Sequence, residues 1–168
     1  MKIVLYMAMT VNGIIAREND ETPWSDAEWK AYISEVKKIR TLIVGRRTYE
    51  IMKESDNFKK LGNPFVIVLT KMKVKNRENF AFVSSVDAAI ELVKKKKISR
   101  VLLGGGSTTN TEFIKRNLVD EMIVDVEPII FGSGIPLFKE NYSELNLKLL
   151  NTKKISKNEV QLHYRVVK

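Results

Sequence analysis

Apolar residues recur along this chain in two periods, and each change of period marks a predicted element. The opening run MKIVLYMAM is apolar almost throughout and reads as a buried strand over residues 2–9. Residues 10–24 contain Asn12, Gly13 and Pro23 and read as a loop. Ser25-Asp26-Ala27-Glu28 has the spacing of a capping box, in which a serine and a glutamate three residues on satisfy each other's backbone N–H groups. The helix it opens carries Trp29, Ile33, Val36 and Ile39 at helical spacing. TLIVG (41–45) is a second strand, followed by a short helix from about Arg47 to Lys53. PFVIVLT (64–70) is unbroken in its apolarity, which predicts burial on both faces, and FAFV (80–83) is a fourth strand. A helix beginning at Ser85 or Asp87 holds Ala88, Ala89, Ile90, Leu92 and Val93, and Lys94 to Lys97 fall where cations complement its carboxyl end. RVLLGGG (100–106) is a strand running into glycines, TEFIKRNL (111–118) a helix and EMIVDVEP (121–128) a sixth strand. LNLKLLNTKKI and EVQLHYRVV flank Ser156-Lys157-Asn158 and predict an antiparallel hairpin at a sheet edge.

Strands alternating with helices predict an α/β fold around a mainly parallel sheet. A length of 168 residues, 44% of them hydrophobic, suits one domain over 1–168, with no internal repeat and no linker. No run reaches the roughly 20 apolar residues of a membrane helix, and no basic segment precedes an apolar leader. A cytoplasmic location with no membrane partner is the expectation.

Composition then removes whole chemistries. Without cysteine there is no disulfide, Fe–S cluster, thiolate zinc site or cysteine nucleophile. The one histidine, His163, lies in the alternating run QLHYRVV and reads as structural or exposed, so no metal site is expected and a Ser-His-Asp hydrolase is disfavoured. The net charge of +9 attracts anions, whether a nucleic acid or a phosphorylated small molecule, unless it is only a solvated basic surface. The lysines are scattered and no aromatic-basic platform accompanies them, so nucleic acid is not the expected partner.

Two strand-to-helix turns carry the most chemistry. Gly45-Arg46-Arg47-Thr48 places free N–H groups, two guanidiniums and a hydroxyl at the start of a helix. Gly104-Gly105-Gly106-Ser107-Thr108-Thr109 lets backbone approach a ligand and follows it with hydroxyls. Taken singly, each turn is also a plain sharp connection. Taken together, they lie where open α/β sheets bind ligands and suit the two halves of a pyrophosphate. Thr70-Lys71 adds a hydroxyl and a cation at a third strand end; with Arg46 or Arg47 it suits a ribose 2′-phosphate and hence NADPH over NADH, and alone it is equally a polar strand exit. Neither GxGxxG nor GxxxxGK[ST] is present.

MAMTVNGIIA (7–16), IVGRRTYE (43–50), VIVLT (66–70) and LLGGGSTTNTEFIKRNLVDEMIVDVEPIIFGSGIPLF (102–138) resemble the dihydrofolate reductase superfamily. The last stretch is most similar to the pyrimidine reductase domain of riboflavin biosynthesis. The resemblance implies a dihydrofolate-reductase-like sheet of about eight strands flanked by helices, NADPH as cofactor, and hydride transfer to an imine or to a ribosyl group that opens through one. It implies that Ala8 and Ile15 flank the nicotinamide and that Gly45, Arg46, Arg47 and Thr48 form the phosphate-binding helix start. Thr70 and Lys71 fall at the 2′-phosphate, Gly104 and Gly105 at a glycine pair commonly joined by a cis peptide, and Gly106, Ser107 and Thr108 continue that turn. A non-proline cis bond costs about 3–4 kcal/mol.

The departures bear on the substrate. Folate reductases carry a carboxylate on the first helix, and the alignment puts Trp29 there, with Ile33 one turn on, both on the substrate side. Asp26 and Glu28 are either displaced substitutes for that acid or, through the dipole and the capping box, structural. Asp125 stands where folate reductases have a threonine bonded to the acid; it binds or protonates the heterocycle, unless strand alternation turns it to solvent. Pro64 replaces the arginine that clamps the folate glutamate tail, removing about 1.5–3 kcal/mol of charged hydrogen bonding, with Lys59 or Lys60 as looser substitutes. The Cys-His zinc motifs of the deaminase half of the riboflavin enzymes are missing, which points to a stand-alone reductase. The expected activity is therefore NADPH-dependent reduction of a phosphoribosylamino-pyrimidine, a small heterocyclic substrate. The alternatives are dihydrofolate reduction and a non-catalytic nucleotide-binding module. The apolar IIFGSGIPLF segment is either core or the interface of a homodimer.

Overall fold

The computed structural model describes residues 1–140, 142 and 144–168. In chain order the elements are β1 (Lys2–Thr10), β2 (Ile14–Ala16), α1 (Asp26–Ile39), β3 (Thr41–Gly45), α2 (Arg46–Glu54), α3 (Asn57–Lys60), β4 (Phe65–Leu69), β5 (Phe80–Val83) and α4 (Val86–Lys95). They continue with β6 (Arg100–Leu103), α5 (Ser107–Lys115), β7 (Glu121–Glu127), β8 (Ile135–Pro136), β9 (Leu147–Lys154) and β10 (Val160–Val166). Eight strands form one sheet in the order β5-β4-β3-β6-β1-β7-β10-β9, and β2 pairs with β8 in a small second sheet. The six strands from β5 to β7 are mutually parallel, and the β9–β10 hairpin closes the edge antiparallel to β7. The fold is α/β around a mainly parallel sheet, as the strand-helix alternation predicts, and its eight-stranded main sheet has the strand number that the resemblance implies.

Strand alternation divides the core into two halves. Ile3 and Leu5 of β1, Ile43, Ile67 and Leu103 point to the face covered by α4 and α5 through Val86, Ala89, Val93, Phe113 and Ile114. Val4 and Tyr6 of β1, Leu42, Val44, Val66, Val68 and Leu102 point to the face covered by α1, α2 and α3 through Tyr32, Val36, Tyr49, Met52 and Phe58. Two covered faces explain why the central strands lack polar positions. The edge strand β9 is exposed along its whole length.

Helix ends separate into two kinds. Ser25 caps α1, its hydroxyl accepting from Glu28 N at 3.0 Å, and Ser85 caps α4 by accepting from Ala88 N at 3.1 Å. α2 and α5 begin at Gly45 and Gly106, with no side-chain cap and no acid in the first turn. α4 ends within the lysine run, as expected.

Two local expectations are corrected, and one left open is described. α5 starts at Ser107 rather than near Thr111, because Thr111 is back-bonded to the Ser107 carbonyl at 2.8 Å inside a regular turn. The cis peptide joins Gly105 to Gly106, not Gly104 to Gly105. Gly104 N still donates to Ile43 O at 2.9 Å, so the ladder persists through that residue and the turn falls one position later. The connection IIFGSGIPLF divides between the two alternatives: Phe131 and Leu137 are buried and β8 pairs with β2, while Ile129 and Ile130 are exposed.

Candidate functional site

A cleft of about 1350 Å³ opens along the carboxyl ends of the parallel strands. Its lining draws in nearly every turn that the sequence singles out: Ala8 and Ile15, Gly45 to Thr48, Thr70 and Lys71, and Gly104 with Gly106, Ser107 and Thr108. Gly105 lies in the same turn behind this wall, its carbonyl accepting from Gly45 N at 2.8 Å. The two turns are thus one rim.

The rim has the donors that an anion site needs. The first N–H groups of α2 and α5 have no capping partner, and each helix directs the positive end of its dipole there. Ser107 is buried to 4% exposure, yet its hydroxyl has no hydrogen-bond partner among the described residues. A buried unpaired hydroxyl beside two uncapped helix starts fits a phosphate group. The glycines keep the walls close. A Cβ on Gly45 would meet Thr109 Oγ1 at 2.6 Å, and one on Gly104 would meet the Tyr32 hydroxyl at 2.8 Å. Lys71 lines the groove beyond, with Thr70 turned to bond Met72 N at 3.1 Å.

The arginines are placed differently from a pair of free clamps. Arg46 donates to Glu50 at 3.1 Å, and Arg47 donates to Asp20 at 2.6 Å, tying the loop after β2 to the start of α2. Arg116, Lys139 and Asp20 also line the cleft, and sequence reasoning missed all three. Arg116 is held by Asp87 at 2.9 Å. Their chain positions, in a helix end and loops without motif, offered no signal.

The cleft also holds a buried carboxyl. Of the two α1 acids that the sequence offers in place of the Trp29 position, both line the cleft, and Glu28 is the buried one, 4% exposed. Burial first, and then the neighbouring Asp125, Glu127 and Glu159, push its pKa up to about 8. The reciprocal half of the expected capping box is absent. Ser25 N donates instead to Glu127 Oε1 of β7 at 3.1 Å, across 102 positions of sequence, leaving the Glu28 side chain to face inward. Trp29 lines the cleft and stacks on Tyr32 with centroids 5.7 Å apart. Ile33 does not line it. One turn along α1 it is half-buried against the core cluster that holds Tyr32 and Val36. Asp26 is exposed at the rim, where the helix dipole accounts for it.

Asp125 is neither solvated nor at the cleft surface. It is 1% exposed, accepts from the Tyr6 hydroxyl at 2.6 Å and from Gln161 Nε2 at 2.8 Å, and Gln161 also reaches the Tyr6 oxygen at 3.0 Å. Burial outweighs these bonds and raises its pKa, while Tyr6, which does line the cleft, is pushed up by its own burial and by Asp125. Asp125 therefore acts on the site through Tyr6 and through its charge. His163 sits at the other end of β7, 3.2 Å from Glu121, as a structural histidine. Among the described residues, no group of three or more acids and histidines is arranged to hold a metal ion, and no helix is long and apolar enough to cross a membrane.

Comparison with known proteins places this geometry. Residues 1–161 match the model of the RibD C-terminal domain. The chain belongs to the RibD C-terminal domain family. It is 33% identical over 170 residues to the uncharacterized protein YwjB of Bacillus subtilis, covering 97% of each chain. It is 27% identical over 134 residues to dihydrofolate reductase type 1 of Escherichia coli, covering 76% of this chain and 78% of the other. Among solved structures, a pyrimidine reductase-like protein from Corynebacterium diphtheriae superposes with a TM-score of 0.79 at 14% identity, covering 99% and 92% of the two chains. The Enterococcus faecalis dihydrofolate reductase, solved with NADP(H) and RAB-propyl, superposes with a TM-score of 0.70 at 20% identity, covering 98% and 96%. At those identities the structures establish the shared fold. A bifunctional deaminase and 5-amino-6-(5-phosphoribosylamino)uracil reductase from Thermotoga maritima shares it too, with a TM-score of 0.77 at 19% identity, covering 99% of this chain and 56% of that chain.

Proposed function

We propose that the protein is an NADPH-dependent reductase of a nitrogen heterocycle of the pyrimidine or pterin class. The observation that carries this reading is a buried carboxyl, Glu28, held neutral near pH 7 in the same cleft as a two-helix anion cradle. When bound, the reduced dinucleotide supplies a hydride, which is the cofactor's chemistry. The chain supplies everything else. The uncapped N–H groups of α2 and α5, with the hydroxyls of Thr48, Ser107 and Thr108, hold the diphosphate. Thr70 and Lys71 hold the 2′-phosphate, and Ala8 and Ile15 form the apolar wall for the nicotinamide.

Reducing a C=N bond consumes a proton on nitrogen as well as a hydride on carbon. Glu28 holds such a proton at neutral pH and faces the space where a ring would lie. Trp29 and Tyr32 wall that space against water, and Asp125 fixes the Tyr6 hydroxyl beside it.

The substrate wall bears on the substrate's tail. Past the first turn of α2 it consists of Ile51, Met52 and Asn57, and α1 adds Asp26, Glu28, Trp29 and Tyr32, with no lysine or arginine in that set. Pro64 is buried; Lys59 and Lys60 lie exposed on α3, bonded to Asp56 at 2.8 Å and Asn57 at 3.2 Å, and do not line the cleft. An anionic tail finds no fixed partner there, so recognition rests on the ring. The test is calorimetry with NADPH, then NADPH oxidation in three arms: the phosphorylated ribosylamino-pyrimidine of the riboflavin pathway, dihydrofolate, and a dihydropterin with no glutamate tail. Turnover in any arm supports the reductase. No heat with NADPH, or no oxidation in all three, overturns it.

A further inference from the structure

We propose that Glu127 is a positioning residue, which keeps the Glu28 carboxyl in the cleft by taking its place in the cap of α1. A glutamate three residues after an N-cap serine ordinarily reaches back to the serine's N–H. Here the serine half of that box is intact, with Glu28 N donating to Ser25 Oγ at 3.0 Å, but the Ser25 N–H is already taken by Glu127 Oε1 at 3.1 Å. Glu127 is 5% exposed at the end of β7, so this acceptor is fixed by the sheet and not by a flexible surface chain. Deprived of its local partner, the Glu28 side chain turns into the cleft. There it faces Asp125 and Glu127 of β7, Glu159 just before β10, and Tyr32 of its own helix. Tyr6 of β1, bonded to Asp125, completes the surround, and Lys153 of β9 acts on Asp125 from the far side.

Glu127 thus has two separable effects on Glu28. Its charge opposes ionisation of Glu28, and its hydrogen bond removes the alternative seat for the Glu28 carboxylate. The inference rests on Glu28 being the acid of the proposed reaction, but the placement can be read without turnover.

The experiment compares Glu127→Gln with Glu127→Met. Both remove the charge at similar volume; only glutamine keeps an acceptor for Ser25 N. The Glu28 carboxyl is followed by carbon NMR titration and assigned with Glu28→Gln. With glutamine in place, Glu28 is expected to titrate well above the ordinary glutamate range. With methionine it is expected to fall at least one pH unit lower, with kcat down tenfold or more, KM within threefold, and the alkaline limb of the rate profile shifted by the same amount. Identical Glu28 titrations in the two variants overturn the inference. A measurement on the unsubstituted protein guards against a variant that fails to fold: a through-hydrogen-bond coupling from Ser25 nitrogen to the Glu127 carboxyl carbon is expected, and coupling to Glu28 instead overturns it. A protein that shows the coupling and the titration difference but reduces no heterocycle would retain this cap and lose the reductase reading.

Discussion

The Gly45 N–H donates to the Gly105 carbonyl at 2.8 Å, joining the end of β3 to the turn after β6. These strands are hydrogen-bonded neighbours in the sheet, so two glycine turns nearly 60 residues apart in sequence share one rim. The shared rim, and with it the proposed anion cradle, is therefore a property of the topology and not of either turn. Gly45→Ala tests it. The added Cβ would meet Thr109 Oγ1 at 2.6 Å, forcing the rim apart. A loss of about 1–3 kcal/mol in stability is expected from this overpacking, together with at least tenfold weaker NADPH binding by calorimetry.

Ser107 gives the complementary result. Its buried hydroxyl lacks a partner, a cost that the free protein bears. Ser107→Ala is expected to leave the thermal midpoint of the free protein unchanged or raised, while weakening NADPH by about five- to tenfold, near 1 kcal/mol for a lost hydrogen bond. A lowered midpoint with unchanged affinity would place the hydroxyl outside the cofactor site.

Glu28 links activity to stability through one proton. Its folded pKa near 8 lies above the ordinary 4.5, so the unfolded chain loses this proton first as pH rises. The stability it supports is whole below pH 4.5, declines between 4.5 and 8, and stays at its reduced level above. The slope in that window is on the order of 1 kcal/mol per pH unit. Glu28→Gln is expected to remove this slope and to be the more stable protein at pH 9 by denaturant titration. It should also lower kcat about a hundredfold with NADPH affinity retained, and abolish the loss of rate in the unsubstituted enzyme above about pH 8.

What could be read from the sequence follows from how local each cause is. The parallel strands were legible because burial on both faces leaves unbroken apolar runs such as PFVIVLT, and the rim because glycines precede helix-forming stretches. The direction of Glu28 was not legible, since the partner that frees it, Glu127, lies on another element and looks like any strand-end acid. The burial of Asp125 was not legible for a related reason: only the packed structure shows Tyr6 and Gln161 occupying both of its oxygens. β2, β8 and α3 are two to four residues long and leave no periodicity to find.

Tyr6→Phe probes the buried end of that network. Removing the hydroxyl deprives Asp125 of its 2.6 Å donor and leaves Gln161 as its remaining side-chain bond. A buried carboxyl that loses a donor costs about 1–3 kcal/mol and takes up a proton more readily. The stability deficit is therefore expected to be largest at alkaline pH, where Asp125 must ionise, and to shrink in mild acid. Chemical denaturation at pH 5 and pH 8 measures the difference.

The missing cation on the substrate wall can be restored. Asn57 lines the cleft at the start of α3, on the wall where Ile51 and Met52 also stand. An arginine there gives an anionic tail a charged partner worth about 1.5–3 kcal/mol when well placed, or ten- to a hundredfold in KM. Asn57→Arg is expected to lower KM for dihydrofolate by about tenfold while leaving the tail-less dihydropterin within twofold, since the ring contacts Trp29 and Glu28 in both. Equal gains on the two substrates would mean that the arginine acts on the ring or on the fold. No gain on either would mean that tails leave the cleft by another route, and that the wall of Ile51, Met52 and Asn57 does not define the substrate's reach.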